Sequence, residues 1–207
     1  MLYLASRNSG KLREFQAPAL PRGILVEQLP GISQLPPCIE DGKTFEANAR
    51  KKALHYSSFT EHLVFADDSG ICVGALGGAP GVYSARFAGP HATDSANNKK
   101  LIEELTKLLN GGRADLRLPS PLGSAFRAHY ECVIALAQKK TLLATAQGRV
   151  EGGIITTPQG QDGFGYDPYF FYPPLGKTFA EISAEEKFTI SHRGVAFRRF
   201  LELLGRI

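Results

Sequence analysis

The chain has 207 residues, 43% of them hydrophobic and 21% charged, which suits a soluble globular protein with one sizeable core and disfavours a fibrous or disordered chain. Its net charge is +4, from 24 basic and 20 acidic residues; the basic ones are scattered, so no nucleic-acid stripe is expected and a pocket for one small polyanion explains the surplus. Cys38, Cys72 and Cys132 form no CxxC pair or Cys/His cluster, the apolar start of "MLYLASRNSGK" is too short for a signal peptide, and no run is long enough to cross a membrane, so the expectation is a cytoplasmic protein without disulfides or structural zinc.

"LYLA" (Leu2 to Ala5) predicts a short strand, "SRNSGK" a polar turn, and Leu12 to Leu20 a helix. A second strand is expected near Ile24 to Leu29. "TFEANARKKALHYSSF" predicts a helix capped by Thr44, with Phe45, Ala49, Ala53 and Tyr56 on one stripe and Asn48 and Lys52 at its margin. Next come the strand of "VFADDSGICV" and a Gly-rich turn, "GALGGAPG". Thr93 caps a helix to about Asn110 with an apolar face of Leu101, Ile102, Leu105, Leu108 and Leu109. "GGRADLRLPSPLGS" is expected to be a loop, and "AFRAHYECVIALA" and "TLLATAQGRVEGGII" a pair of long antiparallel strands. "SAEE", Ser183 to Glu186, has the form of a capping box, and a closing helix runs from His192 to Leu204 and stops at Gly205. Strands and helices mix without strict alternation, so the expected class is α/β with a mixed sheet.

Four stretches carry candidate chemistry. "ASRNSGKL" places a Gly-containing turn between a strand and a helix N-terminus, where anions bind. It lacks the early glycine and the Ser or Thr after the lysine of a Walker A loop, and a plain turn fits it equally well. In "ADDSG" two adjacent carboxylates sit in an apolar run, where they repel and lose hydration unless compensated. In a strand Asp67 and Asp68 face opposite sides, so one of them is expected to face a ligand and the other to satisfy nearby backbone N–H groups; a local Asp-Gly turn is the simpler alternative. With Glu40 the pair could supply hard oxygen ligands, typically for Mg²⁺. "GFGYDP" (Gly163 to Pro168) offers Phe164 or Tyr166 for stacking on a planar base, or else an aromatic turn packed on the core. "EEKFTISHRG" brings Lys187, His192 and Arg193 near the last helix, where a solvated charge cluster would serve as well.

Together, "SRNSGK", "EDGKTFEANARKKA", "ADDSGICVGALGGAPGVYSARFAG", "GFGYDPYF" and "GKTFAEISAEEKFTISHRGVA" resemble, in the same order and over nearly the whole chain, the inosine triphosphate pyrophosphatase family, which hydrolyses non-standard purine nucleoside triphosphates. The resemblance implies a single domain over residues 1–207, two-lobed, with a long central mixed sheet and an active-site cleft between the lobes. It also implies a Mg²⁺-dependent homodimer acting on ITP, dITP and XTP, with no nucleic-acid or membrane partner. By the same resemblance, Ser6, Arg7, Asn8, Ser9, Gly10, Lys11 and Lys52 would lie along the triphosphate. Glu40 and Asp68 would hold the metal, Asp68 also activating water, and Ser69 would bind substrate. Phe164 would stack on the purine, with Gly165, Tyr166 and Asp167 completing that wall and Lys187, His192 and Arg193 contacting phosphate and base edge. Two departures stand out: an enlarged loop from Leu116 to Ser124, and Gly74 where the family often has an acidic residue.

Overall fold

The structure is a computed structural model that describes residues 1–111 and 125–205 and the backbone of residues 117–118. In chain order the elements are β1 (Leu2–Leu4), α1 (Ser9–Ala19), β2 (Val26–Gln28), α2 (Phe45–Tyr56), β3 (Val64–Val73), α3 (Asp94–Asn110), β4 (Arg117–Leu118), β5 (Ala125–Gln138), β6 (Thr141–Ile154), β7 (Phe170–Tyr172), β8 (Lys177–Thr178), α4 (Ala184–Ile190) and α5 (His192–Leu204). The α/β class with a mixed sheet is therefore as expected.

The caps explain most helix starts. Thr44 accepts from Ala47 N at 3.1 Å and Thr93 from Ala96 N at 3.2 Å, each satisfying a donor that the first helical turn cannot pair. The helix after "SRN" corrects the sequence reading. It begins at Ser9, three residues before the predicted Leu12, because Asn8 is its N-cap and accepts from Lys11 N at 3.1 Å. Ser183 caps α4 by accepting from Glu186 N, but the reciprocal box lies upstream, where Thr178 N also donates to Glu181 Oε2 at 2.7 Å. The predicted loop from 111 to 124 contains a two-residue strand, Arg117–Leu118, paired antiparallel with β5; the remainder of the enlarged segment lies outside the described residues.

Two compact units divide the chain: Met1–Asp68, Cys132–Gly148 and His192–Ile207 form the first, Ser69–Glu131 and Arg149–Ser191 the second. Within the first, β1 runs parallel to both β2 (Leu2 beside Val26) and β3 (Tyr3 beside Val64). Its β5 and β6 segments follow in that order, turning at Lys139 and Lys140, both with positive φ, the geometry of a tight hairpin. Its core is a cluster of phenylalanines, with ring centroids 5.3 Å apart for Phe15–Phe65, 5.0 Å for Phe15–Phe197 and 5.4 Å for Phe65–Phe200. In the second unit β6 pairs antiparallel with β7, and β7 with β8. Leu101 and Leu105 of α3 are buried in the same core as Tyr130, Phe170 and Phe179.

The close approach of α5 to β6 depends on Gly148, where a Cβ would run into the backbone of His192 and Ala196. Backbone cannot swing aside as a side-chain tip can, so Gly148→Ala is expected to cost about 1–3 kcal/mol. Urea midpoints at equal m-value measure this; a wild-type midpoint would show that α5 shifts without cost.

Candidate active site

The turn after β1 is the first turn of α1. Ser6 Oγ accepts from Asn8 N at 3.2 Å, and the N–H groups of Ser9 and Gly10 lie at the positive end of the helix, which favours an anion. Arg7 turns elsewhere: its guanidinium donates to the carbonyls of Ile32 and Leu35 at 3.1 and 3.2 Å, so the side chain braces the 32–35 segment.

Helical and strand periods then build two polar clusters on β3. Phe65 and Asp67 share one face of the strand, Lys11 and Phe15 one face of α1, and Arg193 and Phe197 one face of α5. The phenylalanines meet in the core, so the charged residues beside them meet as well. Lys11 Nζ lies 2.8 Å from Asp67 Oδ2, the Arg193 Nε lies 3.8 Å from it, and Arg193 also bonds Glu14 at 2.9 Å. Asp67 has no solvent exposure. Burial pushes its carboxyl up, but the charges of Lys11, Arg193 and Lys52 outweigh that and hold it below the ordinary value.

Asp68 points to the other side and meets α2. It accepts from Asn48 Nδ2 at 2.9 Å, while Asn48 Oδ1 accepts from Gly42 N at 2.7 Å, tying the loop that carries Glu40 to the strand. Lys52, one turn beyond Asn48, bonds Glu40 at 2.7 Å. Burial raises the Asp68 pKa above the ordinary carboxylate value, against the pull of Lys52, Lys11 and Asn48. For Lys52 burial acts downward, but Glu40, Asp67 and Asp68 prevail and its pKa is raised, so the ammonium stays charged at neutral pH. The sequence reading placed Asn48 only at a helix margin. Its spacing of four from Lys52 was the available signal for a role beside the aspartates.

In the second unit, Asp167 Oδ2 accepts from Phe164 N at 2.8 Å and from Lys187 Nζ at 2.6 Å, and Lys187 sits 4.8 Å from the Phe164 ring centroid. The two candidate rings of "GFGYDP" separate clearly. Tyr166 is buried in the core with its hydroxyl donating to Ser84 O at 2.8 Å, whereas Phe164 is half-buried. Ser69 is half-buried at the head of this unit and His192 is buried at the start of α5 in the first.

The sequence reading assigned the aspartate that faces away from the ligand to nearby backbone N–H groups; the structure adds the side chains of Lys11 and Arg193 beside Asp67. Among the described residues no group of three or more His, Cys, Asp or Glu side chains is placed to hold a metal. Glu40 and Asp68 are close enough for the Glu40 charge to act on Asp68. Two carboxylates fit Mg²⁺ bound jointly with substrate phosphates, the usual mode for that ion, and do not fit an all-protein cage.

A model of the Ham1 family matches residues 2–203. The dITP/XTP pyrophosphatase of Desulforamulus reducens is 44% identical over 209 aligned positions, covering 100% of this chain and 96% of that protein. The dITP/XTP pyrophosphatase of Acinetobacter baumannii is also 44% identical, covering 99% and 95%. Among solved structures, a HAM1 protein from Coxiella burnetii superposes with a TM-score of 0.82 at 37% identity, covering 100% of this chain and 98% of that one. The Staphylococcus aureus Ham1 protein gives 0.79 at 37%, covering 99% and 97%.

Asp67→Asn removes an anion that Lys11 and Arg193 share and is expected to cost about 3–5 kcal/mol, the usual result of breaking a buried ion pair. The pH dependence has a definite sign. Asp67 has a lowered pKa in the folded state, so its contribution is complete above the unfolded value of about 3.9 and is lost as pH falls through the folded value. Asp68 has the opposite sign, because the folded state takes its proton more readily than the unfolded chain. In urea melts the gap between wild type and Asp67→Asn should therefore hold from pH 7 to about pH 4 and narrow as pH falls further toward about pH 2; a gap that stays constant over that acid range would remove Asp67 from the acid response.

Proposed function

The chain belongs to the Ham1 family, and we propose that it is a pyrophosphatase of non-standard purine nucleoside triphosphates, converting ITP, dITP and XTP to nucleoside monophosphate and pyrophosphate. The observation that carries this reading is Asp68: a buried carboxylate with a raised pKa, hydrogen-bonded by Asn48 and next in sequence to an aspartate that anchors Lys11. A proton acceptor thus adjoins the cations that a triphosphate requires, and the names of the relatives point to the same chemistry.

Asp68 accepts a proton from the attacking water as oxygen bonds to the α-phosphorus and the α–β anhydride bond breaks, releasing pyrophosphate. Lys11, Lys52 and the first turn of α1 take the triphosphate charge. Mg²⁺ held by Glu40, Asp68 and substrate oxygens would neutralise the leaving pyrophosphate. The Phe164 ring takes the purine face, with Lys187 and Asp167 behind it. Arg193 can only donate, and His192 donates when its facing nitrogen carries the proton. They favour the carbonyl at C6 of hypoxanthine and xanthine over the amino group of adenine, since a donor facing a donor leaves buried groups unpaired at about 1–3 kcal/mol each. The resemblance further supports a cytoplasmic homodimer; in the structure no helix among the described residues is long and apolar enough to cross a membrane.

Incubation with ITP, dITP, XTP, GTP, ATP and dTTP in Mg²⁺, with products resolved by chromatography, tests the reading. The first three should yield monophosphate and pyrophosphate, GTP should react more slowly and ATP far more slowly. Release of orthophosphate and a diphosphate, or equal turnover of ATP, overturns it. Asp68→Asn should lower kcat by about 10²–10⁴-fold with the fold retained, and chelation with EDTA should stop turnover until Mg²⁺ is returned.

A further inference from the structure

Phe164 lies between two glycines in left-handed conformations, Gly163 at φ +76° and Gly165 at φ +62°. Such a backbone has little stiffness of its own, because glycine visits both signs of φ readily. A ring placed there keeps its direction only if side chains hold the backbone on either side of it. On the N-terminal side Asp167 does so, through the Phe164 N–H. On the C-terminal side the holding groups come from α3. Gly165 N donates to Asp94 Oδ2 at 2.8 Å, and Asn98 Nδ2 donates to Gly165 O at 2.9 Å. Asp94 and Asn98 are one turn apart on the helix, so two successive turns grip the two backbone polar groups of a single residue. The amide of Asn98 must present its nitrogen, since the reverse orientation would set two acceptors together. The helix itself is firmly seated: Thr93 caps it, Leu101 and Leu105 are buried, and Asn97 bonds Ala88 N and Ala85 O at 2.8 and 3.2 Å.

We infer that Asp94 and Asn98 are positioning residues that fix the Phe164 ring through the Gly165 backbone and thereby set the affinity for the nucleobase. This rests on the proposed stacking of Phe164 on the base. Neither residue belongs to the motifs quoted for the family resemblance.

The test compares a substrate with a base and a competitor without one. KM and kcat are measured for dITP, and an inhibition constant for inorganic triphosphate, in wild type, Asp94→Ala, Asp94→Asn and Asn98→Leu. Loss of one such hydrogen bond should raise KM for dITP about five- to tenfold in Asp94→Ala and Asn98→Leu, with kcat and the inorganic triphosphate constant unchanged. Asp94→Asn keeps an acceptor and should restore near-wild-type KM; a role limited to charge at the helix start would instead make it resemble alanine. Unchanged KM in both Asp94→Ala and Asn98→Leu overturns the inference, as does an equal change in the triphosphate constant, which would mean general distortion. Should Asp94→Ala not fold, Asn98→Leu, of similar size, carries the same comparison. A wild type that leaves dITP intact overturns the proposed function and this inference with it, whereas an active wild type with insensitive variants overturns the inference alone.

Discussion

The Asp67 carboxylate, wholly removed from water, is the constraint on which the first unit turns. An isolated carboxylate at such a site costs several kcal/mol, and it is tolerated only when cations with good geometry surround it. Lys11 meets that requirement at 2.8 Å and Arg193 adds its charge at 3.8 Å, from two helices far apart in the sequence, so the charge is compensated by these two only when α1, β3 and α5 are assembled. The phenylalanine cluster beside it makes the same three elements converge for a different reason, burial of apolar surface. Packing and electrostatics thus select one arrangement.

The adjacent position on the strand uses the pleat to opposite effect. Asp68 faces α2 and meets an amide and a lysine already shared with Glu40, so desolvation dominates and its pKa rises while that of Asp67 falls. Neighbouring carboxylates whose environments separate their protonation behaviour are the usual basis of distinct acid–base roles. In this protein one anchors cations and the other is suited to accept a proton, and a single peptide bond separates them.

The second unit solves a different problem, that of holding an aromatic ring on a flexible turn. Both flanking glycines have positive φ, and the stiffness that they lack comes from side chains: Asp167 of the same turn through the Phe164 amide, and α3 through Gly165. Tyr166, in the same short segment, is committed to the core.

The sequence by itself determined the elements whose signals are local. Thr44 and Thr93 mark α2 and α3 because a hydroxyl cap acts within one turn, and the apolar face of Leu101 and Leu105 is legible because helical period and burial coincide. The long strands β5 and β6 and the opposite facing of Asp67 and Asp68 follow from period two. The motif blocks also carried the family. Tertiary structure alone decided which of Phe164 and Tyr166 stays accessible, that Arg7 braces a loop, that Asn48 links Asp68 to the Glu40 loop, and that Asp67 is neutralised by Lys11 and Arg193. Apart from the spacing of four between Asn48 and Lys52, none of these has a local signature. A hydrogen bond or ion pair between residues 56 or 126 positions apart depends on how helices pack, and packing is set by the whole core rather than by the window in which either residue is read.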